Sequence, residues 1–157
     1  MTADNSFWHF SLRTYAARGV ADECLALQER YGIDVNVLLF CAWLGAERRI
    51  VMNMDEIESC ERAVANWYAR AVKPLRVARQ AMKGLAETEA VRTQVKALEL
   101  EAERREQEML FALAEERWPK PREAAAADAL RSNLDRFLHM HGAPGWQAVP
   151  HLIAAAT

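Results

Sequence analysis

Apolar residues recur every three or four positions along most of this chain, and the breaks in that rhythm fall mainly at glycine and proline. That is the helical period, and no convincing strand pattern interrupts it. The first segment opens with Ser6 as N-cap. It places Phe7, Trp8, Leu12 and Tyr15 on one side and His9 and Arg13 on another, and it stops near Gly19. The second runs from Val20 through Cys24 and Leu27 to Tyr31, with Gly32 in place for a C-terminal cap. The third, Val35 to Leu44 behind an Asp34 N-cap, is apolar all the way round except at Asn36. Such a helix is buried on every side or spans a bilayer. Its run of about a dozen residues, followed at once by Glu47, Arg48 and Arg49, falls short of the roughly 20 that a span needs, so it predicts a central core helix. Asn36 lies in the first turn, where a short polar side chain meets otherwise orphaned backbone groups.

Asn53 and Glu56 have the spacing of a capping box for a fourth helix, striped with Ile57, Cys60, Val64, Trp67 and Tyr68. Pro74 breaks or restarts the chain, and Leu75, Ala78, Met82 and Leu85 form the apolar side of a short fifth helix. A long charged helix follows from Glu87 to about Arg117. Its seam is Val91, Val95, Leu98, Ala102 and Met109, interrupted by Arg105, which suits one arm of a helical hairpin or a homodimer arm better than a coiled coil. Trp118, Pro119 and Pro121 end it. An alanine-rich helix from about Arg122 to His141 uses Leu130, Leu134, Phe137 and Leu138, and a loop with a short helical turn closes the chain. The expectation is a single all-α domain over residues 1–157, a bundle of about six or seven helices around one buried helix, with a core at 6–118 and an alanine-rich part at 119–157.

Composition narrows the classes. A chain of 157 residues suits one domain, which at that length hides roughly 70% of its unfolded surface. A formal charge of −2 speaks against a nucleic-acid binder, which usually carries a basic excess. Cys24, Cys41 and Cys60 are odd in number and form no CxxC pair, so neither a disulfide framework nor a zinc knuckle is indicated and a reducing cytosol fits best. The start, MTADNS, has no basic leader, and the expected location is cytoplasmic.

One charge asymmetry stands out. Between Arg62 and Glu87 there is no acidic residue, yet the interval holds Arg70, Lys73, Arg76, Arg79 and Lys83. On a helix starting near Pro74, Arg76, Arg79 and Lys83 share a face opposite the apolar side. That face suits an acidic or phosphorylated protein partner, an anionic small molecule or an anionic lipid surface. The plainer expectation is pairing across a hairpin with Glu87, Glu89, Glu99, Glu101 and Glu103. Ser11, Gln28, Asn36 and Trp43 are candidates for a small-molecule pocket between helices, although aromatic stripes at this spacing usually form core. No GxSxG turn surrounds Ser11, and a helical serine usually bonds back to the carbonyl four residues earlier. His139 and His141 are two apart and point to nearly opposite sides of a helix, so no metal site is expected, nor any cofactor. Paired aspartates, a glycine-rich phosphate loop and HExxH are missing from the sequence, which lowers the weight of an enzymatic reading.

The segment FWHFSLRTYAARGVADECLALQERYGIDVNVLLFCAWL, followed by VKPLRVARQAMK, resembles a small bacterial family found mainly in proteobacteria and catalogued only as a domain of unknown function. Phe7-Trp8, Phe10-Ser11-Leu12, Gly19-Val20, Asp34-Val35-Asn36 and Pro74-Leu75-Arg76 carry the likeness over about the first two thirds of the chain. It implies a helical, cytoplasmic, proteobacterial protein and no reaction type. The leading expectation is a non-enzymatic accessory or adaptor protein that docks an acidic partner through Arg76, Arg79 and Lys83. The alternatives are a small-molecule binder or enzyme at the Ser11/Asn36 pocket, and peripheral attachment to an anionic membrane.

Overall fold

Capping side chains mark where three of the helices begin, those headed by Asn5, Asp34 and Asn53. In the computed structural model, which describes residues 4–157, Asn5 rather than Ser6 closes the head of the first helix, its Oδ1 accepting from the Trp8 N–H at 2.9 Å. Residues 1–3, on which the reading of the N-terminal leader partly rests, lie outside the described residues. The helices are α1 (Ser6–Tyr15), α2 (Val20–Tyr31), α3 (Val35–Arg48), α4 (Met54–Trp67), α5 (Lys73–Ala81), α6 (Glu89–Arg117), α7 (Ala126–Met140) and α8 (Pro150–Ala156). Seven of them have nine residues or more, the eighth has seven, and the described residues contain no strand. The molecule is an all-α bundle, and none of these helices is long and apolar enough to cross a membrane.

The apolar-all-round helix is its hub. Every residue of α3 from Asn36 to Gly45 is buried. Trp43 is fully enclosed by Phe7, Phe40 and Phe111, with the Arg48 guanidinium 4.7 Å from its ring. Helix α7 lies along α3 with Leu130, Leu134, Phe137 and Leu138 all fully buried, and Gly45 permits the approach: a Cβ there would stand 2.6 Å from Leu130 Cα. The capping box of α4 forms in both directions between Asn53 and Glu56. The C-terminal segment docks, because Glu23 of α2 accepts from the backbone N–H groups of His151 and Leu152 at 2.7 and 2.9 Å and Leu152 is fully buried.

Three expectations are corrected. Pro74 does not break the chain: α4 passes through one π-helical segment, Tyr68–Val72, directly into α5. There the Lys73 N–H reaches the Tyr68 carbonyl five residues back. The wider turn accommodates a proline that brings no N–H of its own. In α1 Phe7 and Trp8 are buried as expected, together with Phe10, Ser11 and Thr14, while Leu12 and Tyr15 are about half exposed. In α6 only the later part of the expected seam faces inward: Ala102 is buried and Met109 packs against the core, while Val91 and Leu98 are exposed. The buried stripe is instead Glu99, Ala102, Glu106, Gln107, Leu110 and Ala114, which keeps the helical step but is polar through its middle.

Candidate functional site

That polar stretch of α6 faces the first turn of α3, and the reason lies in how α3 starts. Gly32 ends α2 in the left-handed conformation, and Asp34 caps α3 by accepting from the Asn36 N–H at 2.9 Å. With the backbone already capped, the Asn36 side chain is released to cross to α6. Its Nδ2 donates to Glu106 Oε1 at 3.2 Å and its Oδ1 accepts from Gln107 Nε2 at 2.9 Å. In front of this chain α1, α2, α3, α5 and α6 surround a cavity of about 410 Å³, within the size range of small-molecule sites. Trp8, Leu12, Leu25 and Leu39 supply an apolar wall, and Ser11, Gln28, Asn36 and Gln107 a polar one.

Arg76 and Arg79 of α5 enter the same cavity against Glu99 and Glu103 of α6. Arg76 is buried. Its Nε lies 3.4 Å from Glu99, its Nη2 3.6 Å from Glu103, and its Nη1 donates to the Tyr68 hydroxyl at 3.2 Å. Arg79 forks onto Glu99 through Nε and, at 3.2 Å, Nη2. Burial, reinforced by the neighbouring Glu99 and opposed by Arg76, pushes the Glu103 carboxyl up to about 7, so it exchanges its proton at neutral pH. Burial also raises Asp34 and Glu106 above the usual carboxylate range. For Glu106 the adjacent Asp34 carboxyl adds to the effect.

Two polar groups at the cavity are unsatisfied. Among the described residues neither Ser11 Oγ nor Gln107 Oε1 has a hydrogen-bond partner, although the two side chains are only 4% and 2% exposed. For Ser11 this corrects the expectation of a bond back to the carbonyl four residues earlier. Asn36 likewise does not meet orphaned backbone groups, because Asp34 has taken that role.

The two clusters expected separately along the sequence thus meet in one place: Ser11, Gln28 and Asn36 line the cavity with Arg76 and Arg79. Trp43 does not, since it sits about two turns along α3 in the aromatic core, where its Nε1 donates to Glu47 at 3.0 Å. Nor do Arg76, Arg79 and Lys83 form one free basic face. Arg70, Lys73 and Lys83 are exposed and outside the cavity, whereas Arg76 and Arg79 turn toward α6 and pair with two of the five glutamates expected across the hairpin. Glu106 and Gln107 were missed because charged and amide residues on a long helix are read as solvated. Stepping back from Ala114 and Leu110 in helical phase leads to Glu106, Gln107, Glu103 and Glu99, and polar residues in phase with core are the signal that would have found them.

The remaining candidates are structural. Cys24, Cys41 and Cys60 are buried thiols, with Cys24 pushed up to about 12 and Cys60 to about 11 by burial, so none is a ready thiolate. His141 contacts Glu61 at 3.1 Å, and His139 turns to Asp135 at 3.5 Å. Among the described residues no group of three or more His, Cys, Asp or Glu side chains is placed to hold a metal ion.

Comparison with known proteins adds a family and no activity. The family model described as a protein of unknown function (DUF2390) matches residues 6–110, a span that holds every cavity-lining residue. No curated protein and no solved structure matches the chain.

Proposed function

Because the chain belongs to this family of proteins of unknown function, whose description states no activity, we propose a function from the site alone: it binds a small organic molecule in the cavity between α1, α2, α3, α5 and α6. The observation that carries this reading is the pair of unpaired buried oxygens, Ser11 Oγ and Gln107 Oε1, at the wall of a cavity that is otherwise partly apolar. A buried polar group without a partner costs about 1–3 kcal/mol, and a ligand that supplies the missing partners recovers that cost. The adaptor reading is weaker on the same grounds. Arg76 and Arg79 already hold protein carboxylates, which leaves a docking surface with Lys83, Lys73 and Arg70.

The test is native mass spectrometry of the protein purified gently from its own cells, beside Ser11→Ala and Gln107→Leu variants. A small adduct is expected on the parent and is expected to be lost from both variants. Ser11→Ala without ligand should melt no lower than the parent, because the substitution removes an unsatisfied hydroxyl. An adduct-free parent that also gains no melting temperature from a metabolite extract would overturn the reading.

A further inference from the structure

The charges and the unpartnered polar atoms around the cavity bear on what it can hold. Two guanidiniums, Arg76 and Arg79, stand against the carboxylates of Glu99 and Glu103. Behind them lies the Asp34–Glu106 pair, which keeps one negative charge when its two carboxyls share one proton. With Glu103 ionised, negative charge therefore exceeds positive by about one; with Glu103 protonated the two balance. Both guanidiniums are already engaged, with Glu99, Glu103 and the Tyr68 hydroxyl, so an incoming anion would compete with adjacent carboxylates for the N–H groups that stay free.

The hydrogen-bond polarity is set by the buried end of the chain. Glu106 is fully buried, and its Oε2 finds no N–H or O–H donor among the described residues. A proton on that oxygen, shared with Asp34, removes the anomaly. Asp34 is fixed as an acceptor by the Asn36 N–H, and Glu106 Oε1 then accepts from Asn36 Nδ2. Asn36 Oδ1 in turn accepts from Gln107 Nε2, and Gln107 is left with its buried carbonyl oxygen, not its amide N–H₂, unpartnered at the cavity wall. One helical turn before it on α6 lies Glu103, loosely held by Arg76 at 3.6 Å. Gln107 Oε1 and the Glu103 carboxylate can only accept, while the Ser11 hydroxyl and the Gln28 amide can donate or accept.

We propose that the cavity takes an organic cation, a primary amine on an apolar body, whose ammonium donates to Gln107 Oε1 and Ser11 Oγ beside the Glu103 carboxylate while its apolar part lies against Trp8, Leu12, Leu25 and Leu39. This rests on the reading of the cavity as a ligand site and assigns the class of ligand. It also implies a pH dependence centred on Glu103. The titratable and charged groups facing Glu103 are Glu99 on α6, Arg76 and Arg79 on α5, Tyr15 on α1 and Asp34 with Glu106 behind Asn36; α2 presents the uncharged Leu25 and Gln28.

The experiment uses three probes of one shape, 2-phenylethylamine, 2-phenylethanol and 3-phenylpropanoate, titrated calorimetrically into the full chain with melting temperatures in parallel. The amine is expected to bind at least about tenfold more tightly than the other two. Its affinity should rise several-fold from pH 6 to pH 8 as Glu103 ionises, the amine staying charged throughout. Glu103→Gln should remove that pH dependence and Ser11→Ala should weaken binding, with helicity by circular dichroism confirming that each variant is folded. Tighter binding of the propanoate, or equal binding of the alcohol, overturns the cation assignment and leaves the cavity reading standing. Amine binding that ignores both substitutions overturns it as well. If no probe binds and the protein from cells carries no adduct, both readings fall together.

Discussion

Asn133 sits fully buried in the middle of α7, and all of its amide capacity toward the core is used. Its Oδ1 accepts from the Met52 N–H at 2.8 Å, and its Nδ2 donates to the carbonyls of Ile50 and Cys41 at 2.8 and 3.1 Å. One side chain thus ties the turn after α3, where Arg49 adopts a left-handed φ of 56°, to the helix packed on it. Replacing it strands three backbone groups in a dry interior. Asn133→Leu is expected to cost about 3 kcal/mol or more in chemical denaturation, since each buried group left unpaired costs about 1–3 kcal/mol. Nothing local marks this residue, because an asparagine on an alanine-rich helix looks like any surface amide until its neighbours are known. Ser11 is the opposite case. Its place beside Phe7 and Trp8 drew notice from the sequence, and only the packing showed that its hydroxyl is left unpaired at the cavity.

At the level of the elements, α3 and α7 come close enough that backbone replaces side chain at the contact. A Cβ on Gly45 would lie 2.6 Å from Leu130 Cα and 2.7 Å from its nitrogen, atoms that cannot rotate away. Gly45→Ala gains about 1 kcal/mol of helix propensity but must push the two central helices apart, and overpacking of this kind costs about 1–3 kcal/mol. The expected net result is a lower unfolding free energy, measured by urea titration; a stabilised variant would show that the helices part freely. The elements themselves were legible because capping chemistry is local. Gly32, Asp34, Asn53 and Glu56 each act within a few residues of where they stand. The join of α4 to α5 was not, since whether a proline ends a helix or sits beyond a π-turn depends on what the following turn packs against. The buried face of α6 was hidden for a related reason: Val91 and Leu98 of its apolar seam point outward, and the polar residues turn in because Arg76, Arg79 and Asn36 await them there.

For the molecule as a whole, the buried carboxyls set how stability responds to pH. Asp34, Glu103 and Glu106 all bind their protons more tightly in the folded state than a free carboxyl does. Their contribution is therefore fully present below the ordinary carboxylate range, near pH 4, and is lost as pH rises through the folded values, about 7 for Glu103 and higher for Glu106. The melting temperature is expected to fall from pH 5 to pH 9, by up to about 1.4 kcal/mol of stability per pH unit for each extra proton held. Glu106→Gln keeps the shape, donates to Asp34 permanently and carries no proton to lose. It should melt higher than the parent at pH 8, by at least about 1 kcal/mol of stability, and nearly level with it at pH 5. A parent curve that is flat over this range would contradict the assignment of a proton to the Asp34–Glu106 pair.

Unaided, the sequence determined the all-α class, the helix starts with local caps, and α3 as the buried centre, because helical periodicity and capping are properties of neighbouring residues. It also picked out Ser11, Gln28, Asn36, Arg76 and Arg79, although as two unrelated clusters. Only the tertiary structure could bring those clusters into one cavity, remove Trp43 and Lys83 from it, add Glu103 and Gln107 to its wall, and set Glu106 behind Asn36. The contacts that do so join residues about 20 to 70 apart, as from Arg79 to Glu99 and from Asn36 to Glu106. A carboxylate looks the same in a sequence whether it faces water or a guanidinium, and burial and partners, which belong to the packed chain, decide its charge.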